Sequence, residues 1–348
     1  MPEKEELMNF VRAIACLLCL VGTACSPICS DEPDSGVTPT FPELRGPYLG
    51  QEPPGLEPQL FAPGVVSTGL ATRDVAMTPD GDELYFVVTV GARTMIMVTK
   101  SLGGTWTEPV VAPFSGRYLD IEPAISPDGE RFFFLSTRPQ PGQEEKPGWV
   151  YQDIWAMDRV DDGWGEPYNL GPPVNSDAPE YFPSVTADGT LYFTREGEDR
   201  VSATYRSRLV DGAYTEPEKL GPEVNCGRNR FNVFVAPDES YAIVPAMGRE
   251  DSLGGVDYYV VFRSADDVWS EPINLGEAVN QPEGREWSAS LSPDGKYLFF
   301  MSSRTAADGG LPLTGSTINE LLGISAQPGQ GSSDIWWVSA ELIEQLRP

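Results

Sequence analysis

Six side chains in one recurrent setting could do chemistry: Asp74, Asp120, Glu122, Glu180, Glu286 and Arg230. Asp74 and Glu122 stand six residues ahead of a turn aspartate; Asp120, Glu180, Arg230 and Glu286 stand eight ahead of one. On an extended strand, even separations put side chains on one face. The five acids should therefore gather at one end of the strands, with Tyr181 and Trp287 beside them and Arg73 and Phe231 close by. Carboxylates converging in this way suit a hard cation such as Ca²⁺, and the aromatic faces suit a sugar ring or a peptide side chain. Two facing acids, one with a raised pKa, would also suffice for glycoside hydrolysis; Asp74, Glu122 and Glu180, on successive repeats, are the residues to do it. Histidine is absent from the chain. Ser-His-Asp and Cys-His triads and imidazole metal sites are thereby excluded.

The elements that position these residues come from a repeat. LSPDGKYLFFMSSR (291–304) has weaker copies in MTPDGDELYFVV (77–88), ISPDGERFFFLSTR (125–138), VTADGTLYFTRE (185–196) and VAPDESYAIVPA (235–246). An alternating apolar run, a Pro-Asp-Gly turn and an apolar-aromatic run read as two strands joined by a tight turn. The turn aspartates fall at Asp80, Asp128, Asp188, Asp238 and Asp294, at intervals of 48, 60, 50 and 56 residues, about the period of one propeller blade.

Two further markers complete each unit. A third strand reads RTMIMVTKS (93–101), DIWAMDR (153–159), TYRSRLV (204–210), DYYVVFRS (257–264) and DIWWVSA (334–340). A fourth follows an aromatic and Glu-Pro, as in WTEPVVAP (106–113), WGEPYNLGPPVN (164–175), YTEPEKLGPEVN (214–225) and WSEPINLGEAVN (269–280). The last unit stops at its third strand, while the chain supplies an orphan fourth strand at LEPQLFAPGV (56–65). Four-stranded sheets cannot cover their own faces, and packing them around an axis does. The expectation is an all-β, five-bladed propeller over 55–348, closed by strand 56–65 pairing with strand 334–340.

Residues that repeat should be structural. The turn aspartates are expected to bond local backbone amides. Arg138, Arg304 and Arg249 are expected to brace the aspartates that open the third strands, Asp153, Asp334 and Asp257. Trp106, Trp164, Tyr214 and Trp269 should pack between blades. The positions four ahead of the turns, Ala76, Ala124, Ser184, Phe234 and Ser290, are mostly small and suit a narrow axial channel. The long segments 139–152 and 305–333 should lie on the same face as the acidic mouth.

With 52 acids against 24 bases the formal net charge is −28, which opposes binding to nucleic acid and to anionic lipid surfaces. Four of the five cysteines, Cys16, Cys19, Cys25 and Cys29, lie in the first thirty residues and Cys226 in the repeats, a distribution that implies no disulfide framework. Residues 10–24 form an apolar run too short to span a bilayer comfortably, so 1–24 read as a signal peptide, with Met8 an alternative start. Residues 25–54, rich in Pro, Gly, Ser and acids, read as a flexible tether.

The end of the signal, Gly22-Thr23-Ala24-Cys25, resembles the lipobox of bacterial lipoproteins, with Gly22 where Leu or Val is usual. The resemblance implies lipidation of Cys25, and Ser26 after it implies the outer membrane; the alternative is simple cleavage near Ala24. The recurrent SPDG, SSR and DIW motifs resemble the TolB-type, WD-like β-propeller repeat family of bacterial envelope proteins over residues 55–340, although six blades are commoner there. That resemblance implies a non-catalytic, monomeric envelope scaffold. It would contact proteins, glycans or peptides through its mouth and touch the membrane only through its lipid, with no required cofactor. The alternative is a carboxylate glycoside hydrolase similar to five-bladed sugar-cleaving propellers.

Overall fold

The computed structural model describes residues 41–161, 163–228, 231–282, 284–305 and 314–348. Cys25 and the segment 1–40, together with Arg230, lie outside the described residues. Among the described residues the chain forms five antiparallel blade sheets of four or five strands, beside a two-stranded hairpin of Leu209–Val210 and Ala213–Tyr214, with each inner strand leading through its turn to a second strand and outward. The inner strands are Ala71–Met77, Asp120–Ile125, Glu180–Val185, Phe234–Val235 and Glu286–Leu291. The second strands, Glu83–Val90, Arg131–Ser136, Leu191–Glu196, Tyr241–Ala246 and Tyr297–Ser302, are almost wholly buried because both of their faces meet neighbouring blades. Each outer strand is only two residues long, which leaves little unpaired edge at the rim.

The ring closes as the orphan strand requires. Gln59 pairs with Trp337 and Leu60 with Trp336, both antiparallel, so the chain's first strand completes the fifth blade. Phe61 donates its N–H to the Ile335 carbonyl and is fully buried, its ring 4.8 Å from Phe299 and 5.2 Å from Trp337. Ser67 both donates to the Ile335 carbonyl and accepts from its N–H.

That last pairing is one of a set. Asn175, Asn225 and Asn280 each accept the N–H and donate to the C=O of one third-strand residue, Ile154, Thr204 and Tyr258 respectively. A buried carboxamide here presents the same donor and acceptor as a peptide group and continues the ladder where the outer strand has ended. The motif was visible in the sequence as LGPPVN, LGPEVN and LGEAVN, but its bonding was not.

The tight turns behave as their chemistry dictates. Thr78, Ser126, Thr186 and Ser292 donate to Asp80, Asp128, Asp188 and Asp294, and each aspartate also accepts the N–H two residues on. The hydroxyl bond is the largest influence on Asp80 and Asp128, and at Asp188 and Asp294 burial is the largest single one but the bonds together outweigh it, so all four carboxyls titrate below their ordinary range. Four turns place Gly in the left-handed region; the fourth copy has Glu239 there instead, at φ 57°. Its carboxylate accepts from Tyr192 and Arg263, which fixes a conformation that costs a side-chain-bearing residue about 1–2 kcal/mol.

One expected boundary moves. Composition placed the flexible tether at 25–54, yet residues 43–54 pack against the closing blades. Tyr48 and Leu49 are buried, and the Tyr48 hydroxyl donates to Asp294 with its ring 5.3 Å from Trp337. Trp106 donates its indole N–H to the Gly46 carbonyl, and Gln51 bonds Leu60 and Ala62 on either side of Phe61. Two apolar side chains in a Pro- and Gly-rich run suffice to anchor it, and composition averages them away.

The seam where the chain's ends meet should be the weak point of the ring. Phe61→Ala is expected to destabilise the propeller by about 3–5 kcal/mol. Chemical denaturation would read the loss; a change below about 1 kcal/mol would mean that closure does not depend on this ring.

Candidate functional site

Four of the five inner strands hold one residue more than their partners can pair with. Pairing is interrupted between Arg73 and Val75, Ile121 and Ala124, Tyr181 and Ser184, and Trp287 and Ser290. At the break Asp74, Glu122, Phe182 and Ser288, and in the fourth blade Asn232, all adopt left-handed backbone, with φ between 51° and 61°. This is a bulge of the type that ordinarily carries Gly, built here four times from residues with side chains, with the same left-handed backbone at Asn232 just ahead of the short fourth inner strand. Strain of that kind, about 1–3 kcal/mol per residue, persists only where the surroundings over-determine it.

The bulge overturns the simple even-position reading. Beyond it the facing of the strand inverts, so the residues seven ahead of the turns, not those eight ahead, line the mouth. Arg73, Ile121, Tyr181, Phe231 and Trp287 line a depression of about 450 Å³, together with Trp149 and Gln152 from the loop 139–152. Tyr181 and Trp287 therefore stand where expected, and so does that loop.

The acids eight ahead are withdrawn into the blades. Asp120 accepts from Ser115, Ser136 and Arg138; Glu180 from Ser176 and Arg195; Glu286 from Ser302 and Arg304. All three are fully buried. Arg138 and Arg304, which follow their second strands, thus pair with the inner strand's acid, not with the aspartate opening the third strand as expected, and Arg195, within its second strand, does the same. Arg249, in turn, pairs with Asp251. Asp153 is held by Gln140 and Asn169, Asp257 by Ser252 and the Leu253 and Gly254 amides, and Asp334 by the Gly329 amide. The guanidinium groups also lie over aromatic rings, Arg138 over Phe134 and Trp155, Arg195 over Tyr205 and Arg304 over Phe300 and Trp336. The Ser-x-Arg motif is therefore a clamp on the acid of its own hairpin.

Only Asp74 and Glu122 of the candidate acids meet at the axis. Arg73 donates through Nε to Asp74 at 2.9 Å and through Nη2 to Glu122 at 2.9 Å and to Ser288 at 3.2 Å. Asp74 accepts the Glu122 N–H, Glu122 accepts the Phe182 N–H at 2.7 Å, and the Asn232 amide reaches Glu122 at 3.4 Å. Carboxylates thus tie the left-handed residue of one blade to that of the next. Burial pushes the Glu122 carboxyl up to about 7, with Arg73 opposing and Asp74 reinforcing the shift. Glu122 lines both the mouth and an axial cavity of about 200 Å³ on the turn side, so this cluster forms the layer between them. The small residues Ala76, Ala124, Ser184 and Ser290, with Phe234, line that cavity as expected.

Among the described residues no group of three or more Cys, Asp or Glu side chains is placed to hold a metal ion. Asp74 and Glu122, which could contribute oxygens to Ca²⁺, are engaged with Arg73. Within the segment 305–333, Ile318–Ser325 forms helix α1, capped by Thr317 and Glu320, and leaves Ile318, Leu321 and Leu322 exposed. Among the described residues no helix is long and apolar enough to cross a membrane.

No family model matches the chain, and no curated protein matches it. Several solved structures share the fold at low similarity. One is a protein described as a TolB from Agrobacterium tumefaciens, at 16% identity over 66% of this chain and 69% of that one, TM-score 0.44. TolB from Acinetobacter baumannii matches at 14% identity over 78% of this chain and 54% of its own length, so the chain spans about half of that protein, TM-score 0.40. A periplasmic gluconolactonase from Pseudomonas aeruginosa matches at 14% over 66% and 64%, TM-score 0.36. Likeness at this level is to the architecture alone.

Removing the central cation should be costly. Arg73→Met leaves two buried carboxylates unpaired and is expected to cost about 3–5 kcal/mol. Combining it with Asp74→Asn and Glu122→Gln should recover most of the loss in a denaturation cycle. Failure of the triple variant to recover would show that Arg73 acts otherwise than as their counter-charge.

Stability should also depend on pH in a stated direction. Burial raises Glu122 and Glu286 to about 7 and Asp334 to about 6. In the folded state these groups hold protons that the unfolded chain releases from about pH 4.5 upward. The folded state therefore binds more protons over that interval, and stability falls as pH rises through it. The turn aspartates, lowered in the folded state, stabilise above their ordinary pKa and lose that contribution as pH falls through their folded values. Melting temperature is expected to rise from pH 8 to about 5.5 and to drop below about 4, with Glu286→Gln flattening the upper limb. A profile rising toward pH 8 would contradict the burial assigned to these acids.

Proposed function

We propose that this chain is an exported, lipid-anchored propeller that binds a partner or ligand at its mouth without transforming it. One observation carries the reading: the acids are withdrawn and paired, while the aromatic residues are the groups left accessible. A hydrolase needs a carboxyl free to protonate a leaving group and a second free to attack or activate water. Glu180 is committed to Ser176 and Arg195, and Asp74 and Glu122 share Arg73, with Glu122 also bonded to the Phe182 amide. Trp149, Tyr181, Phe231 and Trp287 meanwhile offer apolar faces around a concavity of ligand size. The exposed apolar residues of α1 extend the contact surface toward a protein partner, and anchoring through Cys25 would hold that surface at the envelope.

The hydrolase reading keeps one specific support, a Glu122 carboxyl raised to about 7 by burial beside a second acid, the combination a general acid requires. A joint experiment separates the two. The purified chain, Tyr181→Ala and an Ile318→Ser/Leu322→Ser variant would be immobilised against solubilised envelope extract and printed on a glycan array, alongside a glycoside hydrolysis screen. Retention lost in one or other variant, with no turnover, is the expected result. Turnover that disappears in Glu122→Gln would replace binding with catalysis.

A further inference from the structure

The mouth has the make-up of a site for an alkylated ammonium ion. Its walls come from four different blades: Trp149 from the second, Tyr181 from the third, Phe231 from the approach to the fourth and Trp287 from the fifth. Phe231 and Trp287 stand 6.1 Å apart between centroids, edge to face at 65°, so they do not form a flat platform. Trp149 is 44% exposed, which leaves its ring free to cover an occupant. A sugar ring is best served by an extended face parallel to it, whereas a compact cation gains from several ring faces turned toward one point.

Charge favours a cation as well. Beneath the floor formed by Arg73 and Glu122 lies Asp74, so the cluster sets two carboxyls against one guanidinium and reaches a formal balance of −1 once Glu122, raised to about 7 by burial, has ionised. Arg73 is the only base among the described residues lining the depression, and both acids already hold it. The formal charge of the whole chain, −28, adds a field that concentrates cations in any low-dielectric concavity. At about 450 Å³ the depression is large enough for a quaternary ammonium head and part of its substituent.

We infer that the mouth binds a quaternary or N-methylated ammonium group, caged by Trp149, Tyr181, Phe231 and Trp287 above the Arg73–Glu122 floor. The inference rests on the reading of this face as a non-catalytic binding surface and specifies its ligand chemistry. The non-planar aromatic lining and the acidic cluster beneath it support it independently.

Choline is the direct probe, and 3,3-dimethyl-1-butanol, the same shape without the charge, is its control. Calorimetric titration of the full chain should give saturable choline binding that weakens with added salt. The neutral isostere should bind roughly two- to thirty-fold more weakly, the factor that a cation over aromatic rings contributes. Trp149→Ala, a loop substitution at an exposed position, should reduce choline affinity while leaving the melting temperature unchanged. Equal binding of the isostere would overturn the inference, as would choline affinity indifferent to Trp149→Ala. N-acetylglucosamine trimer binding in a Trp149-dependent manner, with choline inert, would overturn it while leaving the mouth a binding face. Neither probe binding, together with envelope retention unaffected by Tyr181→Ala and Trp149→Ala, would bring down the reading of the mouth as well.

Discussion

A single extra residue in four of the five inner strands governs the centre of this molecule. A strand that paired residue for residue with its neighbour would carry its acids on one face to the mouth. The left-handed residue at Asp74, Glu122, Phe182 and Ser288 interrupts that pairing and turns the first part of each of those strands over, and Asn232 takes the same backbone ahead of the fourth. Acids that would have faced the opening are turned into the blades, and the intervening Arg73, Tyr181, Phe231 and Trp287 take their place. The strain is offset by bonds that run around the axis, from Asp74 to the Glu122 amide and from Glu122 to the Phe182 amide. Conformation and charge therefore constrain one another: without the carboxylates the amides at the bulge would lose their acceptors, and without the bulge the carboxylates could not reach them.

The withdrawn acids follow a single pattern that serves stability. In each case an inner-strand carboxylate meets a serine hydroxyl and an arginine at or just past the end of the second strand, the guanidinium lying on aromatic rings of the same blade. A buried carboxylate is tolerated only with such company. The consequence for function is subtractive. A mouth that composition suggested would be strongly acidic is mainly aromatic, with a small residual negative charge at its floor.

Local chemistry and ring geometry agree at the periphery. Short outer strands, asparagine side chains continuing the ladder at Asn175, Asn225 and Asn280, and the Ser67 hydroxyl doing the same at the seam all answer one problem, the exposed edge of a small sheet. The segment 43–54 adds a second layer over the seam through Tyr48, Leu49 and Gln51. The turns show how far a side chain can stand in for Gly: Glu239 occupies the left-handed position because Tyr192 and Arg263, from the third and fourth blades, hold its carboxylate in place.

The amino-acid sequence by itself determined the five repeats, the four strands of each, the turn chemistry and the circular permutation that pairs the strand at 56–65 with the strand at 334–340. These are local or periodic properties: alternation of apolar residues, Pro-Asp-Gly spacing, and a fourth strand missing from one end and present at the other. It also marked Tyr181, Trp287 and the loop 139–152 as belonging to the mouth. The tertiary structure alone decided which acids reach that mouth, that Arg138 and Arg304 clamp Asp120 and Glu286, and that the chain packs from residue 43. A one-residue bulge leaves no mark in the hydrophobic pattern when the extra residue is Asp, Glu, Phe, Asn or Ser and not Gly. Its position is set by contacts between blades, which no window of neighbouring residues contains.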